Sequence, residues 1–174
     1  MTLHDISISL PPAVSELINE PALAAYGELA TGGEFSRGSK ATRTQLAGLT
    51  PGCLFTDSIS DVAMANGCLS GLWLLHGFLD ESHEISQSLK TAEGSFWHGI
   101  MHRIELDFWN SKYWYRQVGS HQVIDAMAKR DTNYPEGFVD ACQRAHESGG
   151  DAKVASEAIA EWICLFEYCY REAC

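Results

Sequence analysis

Positive charge is scarce in this chain: 12 Lys and Arg stand against 23 Asp and Glu, a formal net charge of −11. Nucleic-acid binding needs clustered cations to displace the counterions held by phosphate, and an anionic membrane surface asks for the same, so neither partner is expected. Long apolar runs are also missing. The longest, Cys68 to Leu79, is interrupted by Ser70 and His76 and is far shorter than the about 20 residues of a membrane span. The opening MTLHDISISLPP has no basic stretch before an apolar one and no small-residue cleavage site, so a cytoplasmic location is expected.

Close cysteine pairs are absent as well. Of the six cysteines, Cys164, Cys169 and Cys174 are five residues apart, which turns each about 140° from the last on a helix. Without a Cys-x-x-Cys pair or a secretion signal they read as mostly buried thiols in a reducing compartment, not as a disulfide framework. Gly38-Ser39-Lys40 lacks the earlier glycine of a phosphate-binding loop. No strand-like alternation of useful length occurs, and no segment repeats.

What is present is helical periodicity in a globular composition, 45% hydrophobic and 20% charged over 174 residues. The expectation is one all-α domain over residues 1–174, long enough to bury a core without staples. Residues 1–50 read as an irregular entry segment, with short helices at Ala13 to Asn19 and Pro21 to Ala30 and a Gly/Ser/Thr-rich loop or lid at Thr31 to Thr44. After a central pair of helices, further helices are expected at Lys112–Val118, within Ser120–Arg130, after Asn133-Tyr134-Pro135, and at Asp151–Arg171. The aromatic-rich last helix makes a homodimer conceivable.

The bundle is organised on His76 to Arg116, which holds four of the seven histidines and three of the five tryptophans. A first helix, Asp57 to Gln87 capped by Thr56-Asp57-Ser58, has Val62, Ala65, Leu69, Leu72 and Trp73 on one face. That face continues into His76, Asp80, His83 and Gln87. A second helix, Ser95 to Phe108, buries Trp97, Ile100, Met101, Ile104 and Phe108, with His98, His102 and Glu105 as a stripe beside them. The short turn between the helices predicts an antiparallel hairpin that brings both polar stripes to one depth.

The run WHGIMHRIELDFWNSKYWYRQVG, Trp97 to Gly119, resembles a group of mostly bacterial, largely uncharacterised proteins. Matching positions are His98, His102, Arg103, Glu105, Asp107, Asn110, Tyr113, Trp114, Tyr115, Arg116 and Gly119, with a weaker likeness at Leu75-His76 and Asp80 to His83. The resemblance covers about a quarter of the chain and implies no reaction.

Imidazoles and carboxylates at i, i+3 and i+4 on facing helices can share one ion. The expectation is that His76, Asp80, His83, His98, His102 and Glu105 converge in a pocket for a divalent transition metal or a small polar ligand. His83, His98, His102 and Glu105 are the candidate metal ligands. Arg103 or Arg116 would pair with an anionic substrate, and a metal-bound water would make the site hydrolase-like. Asp80-x-x-His83 and His102-x-x-Glu105 are similar to the Glu-x-x-His unit of dimetal bundles, with Glu157 and Glu161 as conceivable bridges. Gly99 excludes the zinc-protease His-Glu-x-x-His motif, though not a metal. The alternative is a non-catalytic structural or interaction module. The same groups then form a buried hydrogen-bond network, Arg103 pairs with Asp107, and Tyr113, Trp114 and Tyr115 serve core and rim packing.

Overall fold

A computed structural model describes residues 8–33 and 37–174; the expectations for residues 1–7 and for 34–36 of the anticipated loop lie outside them. Among the described residues the fold is all-α, with no strand. Short helices α1 (Pro12–Ser15) and α2 (Glu20–Leu29) are followed by α3 (Lys40–Ala47). The expected loop therefore stops at Ser39, whose hydroxyl accepts from Thr42 N and caps α3.

The core is built by α4 (Val62–Leu75), α6 (Ala92–Ile104) and α10 (Ala152–Glu172). Trp97 of α6 and Trp162 of α10 are fully buried against each other, ring centroids 6.2 Å apart, and Phe166 stacks on Trp162 at 4.9 Å. Helix α10 also packs on α2, and its start is fixed by Asp151, whose carboxylate accepts from Lys153 N and Val154 N. The buried apolar side chains form one contiguous cluster. Cys68, Cys142 and Cys169 are buried in it and Cys164 partly so, while Cys53 and Cys174 are exposed; none of the six is paired.

The long first helix anticipated over Asp57–Gln87 is two helices. It begins at Asp61, whose carboxylate accepts from Ala63 N and Met64 N, leaving Thr56 to Ser58 outside and Val62 59% exposed. It then breaks at His76-Gly77-Phe78. Gly77 adopts φ 71°, and the turn is closed by Gly77 N to Leu74 O and Phe78 N to Trp73 O, both 3.0 Å. This is a Schellman C-cap, for which a glycine without a Cβ is the natural residue. Helix α5 (Leu79–Ser88) starts anew after this break and packs on α6, as α4 also does.

Helix α6 begins earlier than expected, with Thr91 as N-cap, and ends at Ile104. Phe108 belongs to the next helix, α7 (Phe108–Val118), capped by Asp107. These two helices pack closely because Gly99 lets α7 approach: a Cβ there would lie 3.3 Å from the Tyr115 ring, and the Ser111 hydroxyl donates to Gly99 O at 2.7 Å. The residue that excluded the zinc-protease motif is thus a packing residue. Helices α8 (Gln122–Ala128) and α9 (Glu136–Ser148) complete the bundle. Buried His121 caps α8, its Nδ1 accepting from Val123 N at 3.1 Å, so Nε2–H donates to buried Glu93 on α6 at 3.2 Å. No helix among the described residues is long and apolar enough to cross a membrane.

Candidate metal centre

The conserved turn geometry of an α-helix sets successive residues about 100° apart. His102 and Arg103 therefore point to different sides of α6, and the polar string divides into two constellations.

On the first side, α6 contributes His98 and His102, one turn apart, and α5 contributes His83. The ring centroids lie 4.6 Å (His83–His98), 4.7 Å (His98–His102) and 5.7 Å (His83–His102) apart. One ring nitrogen from each histidine falls within 4.8 Å of the others. His98 and His102 are buried and His83 half-buried. On a tetrahedral ion with nitrogen ligands at about 2.0–2.1 Å, those nitrogens sit about 3.3 Å apart. To share one ion the three would have to close from within 4.8 Å to that spacing.

Hydrogen bonds assign the lone pairs. The Ser86 hydroxyl donates to His83 O at 3.2 Å and so accepts from His98 Nδ1–H at 3.3 Å, which makes Nε2 the unprotonated nitrogen of His98. Glu105 Oε2 is 3.3 Å from His102 Nδ1 and can only accept, which makes His102 Nε2 the unprotonated nitrogen. The Asn110 amide, from α7, reaches that Nε2 at 3.1 Å. Trp114 covers His98 with ring centroids 4.1 Å apart. Burial, with His102 and His83 adding to it, pulls the His98 pKa down to about 4. Burial also lowers that of His102, with Glu105 and Asp107 opposing it. Neutral imidazole is the form that binds a metal.

The turn after His102 is a second Schellman cap: Leu106 N to Arg103 O at 3.2 Å and Asp107 N to His102 O at 2.9 Å. Here the left-handed position is held by Leu106, φ 68°, where Gly77 serves in the equivalent turn after α4. A leucine there costs about 1–2 kcal/mol relative to an unstrained conformation. The turn sets Glu105 against His102 and starts α7 so that Asn110 reaches the same ring.

On the second side, Arg103 is fully buried and forks onto Glu161 of α10, with Nη1 to Oε1 at 3.1 Å and Nη2 to Oε2. The hydroxyls of Tyr115 and Tyr134 each donate to Glu161 Oε1 at 2.6 Å. Burial opposes the Arg103 charge, but the Glu161 carboxylate more than offsets it and raises its pKa. Burial, with Glu161 added, raises both tyrosines, which stay protonated donors. This buried network ties α6, α7 and the turn before α9 to Glu161 of α10.

Several expectations are corrected here. The six residues do not converge: His76 lies beyond the Gly77 break, bonded through Nε2 to Leu17 O at 3.1 Å and lining a separate cavity of about 120 Å³. Asp80 is exposed and pairs with Arg37 at 3.1 Å. Glu105 stands behind His102 and is not one of the three grouped nitrogen ligands. Arg103 serves Glu161, not Asp107 or a substrate, and Arg116 pairs with Glu136 at 2.9 Å on the surface. Of the conceivable bridging carboxylates, Glu161 is bound by Arg103 and Glu157 by Arg130, so neither is among the described residues that group with the histidines. Ser86 and Asn110 were not singled out from sequence as site residues. Ser86 lies one turn after His83, and Asn110 stands in the quoted string, but a serine or asparagine gives no metal-ligand signal of its own. Neither a scan against protein-family models nor searches of curated proteins and of solved structures finds a match for this chain.

Proposed function

We propose that the protein binds one divalent transition-metal ion through His83, His98 and His102 and uses it in metal-assisted, hydrolase-type chemistry. The observation that carries this reading is the grouping of three imidazole nitrogens within 4.8 Å. Three histidines are the ligand number of sites that keep a position open for water or substrate, whereas closed structural sites use four protein ligands. Glu105 behind His102 is the carboxylate partner that orients a metal-binding imidazole and raises its basicity. The half-exposed edge of His83 supports an open position there. In such a site an ion would lower the pKa of a bound water toward neutrality, while Glu105 would hold the His102 ring from behind.

Asn110 favours a second reading, a hydrogen-bond network without metal, because its amide nitrogen satisfies His102 Nε2 at 3.1 Å. Rotating that amide by half a turn presents its oxygen instead, compatible with a neighbouring cation. Elemental analysis of protein purified without chelator or affinity-tag metal separates the readings. Near one equivalent of a transition metal is expected. Less than about a tenth of an equivalent, with no thermal shift on adding zinc, manganese or iron(II), overturns the metal reading.

A further inference from the structure

Large apolar side chains that stand exposed are few among the described residues, and they are not scattered. Val62 is alone, but Leu106, Trp109 and Tyr113, exposed to 44%, 76% and 43%, follow one another from the turn after α6 onto α7. That is the segment whose Glu105 and Asn110 hold His102. The rings also form a connected series. Trp109 and Tyr113 are nearly parallel, 13° at 6.4 Å; Tyr113 meets Trp114 edge-on at 5.5 Å; Trp114 lies on His98 at 4.1 Å. Leu106 holds its exposed position in a left-handed conformation that glycine adopts freely in the matching turn at Gly77. Exposed aromatic surface and backbone strain thus coincide at the rim of the histidine cluster, a combination typical of functional sites.

Charge narrows the ligand. Glu105 and Asp107 stand beside His102, and all three basic residues of α6 and α7 are bound to carboxylates: Arg103 to Glu161, Lys112 to Asp140, Arg116 to Glu136. Negative charge on the part of a ligand lying along α7 would meet repulsion, and the Arg and Lys side chains of α6 and α7 are already paired. We propose that Leu106, Trp109 and Tyr113 are the recognition surface for the uncharged ring of a small molecule whose polar group reaches the ion at His83, His98 and His102. The metal end of this proposal rests on the function proposed above. A second copy of the chain is the less suitable occupant, since a stable dimer buries about 800 Å² on each partner and three part-exposed side chains fall short of that.

The test compares benzohydroxamic with acetohydroxamic acid on zinc-loaded protein, two probes that share the metal-binding group and differ in the ring. Wild type should bind the benzo compound about tenfold more tightly, the scale of one aromatic contact. The Trp109→Ala/Tyr113→Ala variant should lose the preference and keep its zinc. Equal binding of both acids by wild type, or a preference that survives in the variant, overturns the proposal. If no zinc is retained, the metal reading fails separately. Nuclear magnetic resonance titration of the metal-free protein with benzyl alcohol then decides. Shifts of the Trp109 indole that vanish in Tyr113→Ala sustain the aromatic surface, and their absence overturns it. A concentration-dependent dimer that shields Trp109 in sedimentation and quenching measurements also overturns it.

Discussion

The Nδ1 atom of His102 faces the Glu105 carboxylate at 3.3 Å, across the last turn of α6. That contact fixes the tautomer of the ring and leaves Nε2 unprotonated, the state a metal ligand requires. Replacing Glu105 by glutamine should therefore weaken zinc binding by about 10–100-fold, the usual effect of removing an outer partner of a ligating histidine. Because the Glu105 side chain is half exposed, folding stability should change little. Competition titration against a chromogenic chelator, alongside a urea melt, checks both.

Arg103 and Glu161 make the opposite prediction. Both side chains are fully buried, so Arg103→Met leaves Glu161 buried with only two tyrosine donors and no counter-charge. A loss of about 3–5 kcal/mol is expected from breaking a buried pair on one side. Changing both residues to apolar ones should recover much of it. Chemical denaturation of the single and double variants tests this. Equal stability of wild type and Arg103→Met would show that the pair does not lock the helices.

Much of this was legible in the sequence, and the failures have physical causes. Periodicity gave the helix class and the last helix, Asp151–Arg171 against the observed Ala152–Glu172, since packing dictates that spacing. The same rule carried the polar stripe of the first helix straight through His76, because Leu75, His76 and Phe78 hide the one glycine that turns the chain. Once Gly77 adopts positive φ, spacing by threes and fours no longer relates His76 to His83. Asp80 keeps its spacing to His83 on α5, but it stands in the first turn of that helix, exposed and paired with Arg37. A sequence pattern places Arg103 on a helix face but does not name what it meets. Its partner Glu161 is 58 residues away.

Glu93 gives the clearest pH dependence. Burial raises its pKa, but the hydrogen bond from His121 Nε2–H, aided by the Glu93 backbone N–H and the Thr91 hydroxyl, outweighs that and leaves it below the usual carboxylate value of 4.5. A carboxylate lowered in the folded state stabilises above its unfolded pKa and loses that contribution as pH falls through the folded value. Stability should therefore decline below about pH 4.5 more steeply in wild type than in Glu93→Gln. Urea midpoints between pH 6 and pH 3 measure it. Parallel curves for the two proteins would remove Glu93 from the acid response.

The central claim is that three histidines hold one ion, and X-ray absorption at the zinc edge reads the ligands directly. Three imidazole nitrogens at about 2.0–2.1 Å with one light atom completing a tetrahedron is the predicted result, lost in His98→Ala. A sulfur shell at about 2.3 Å, from exposed Cys53 or Cys174, or a six-oxygen shell unchanged in His98→Ala, would contradict it.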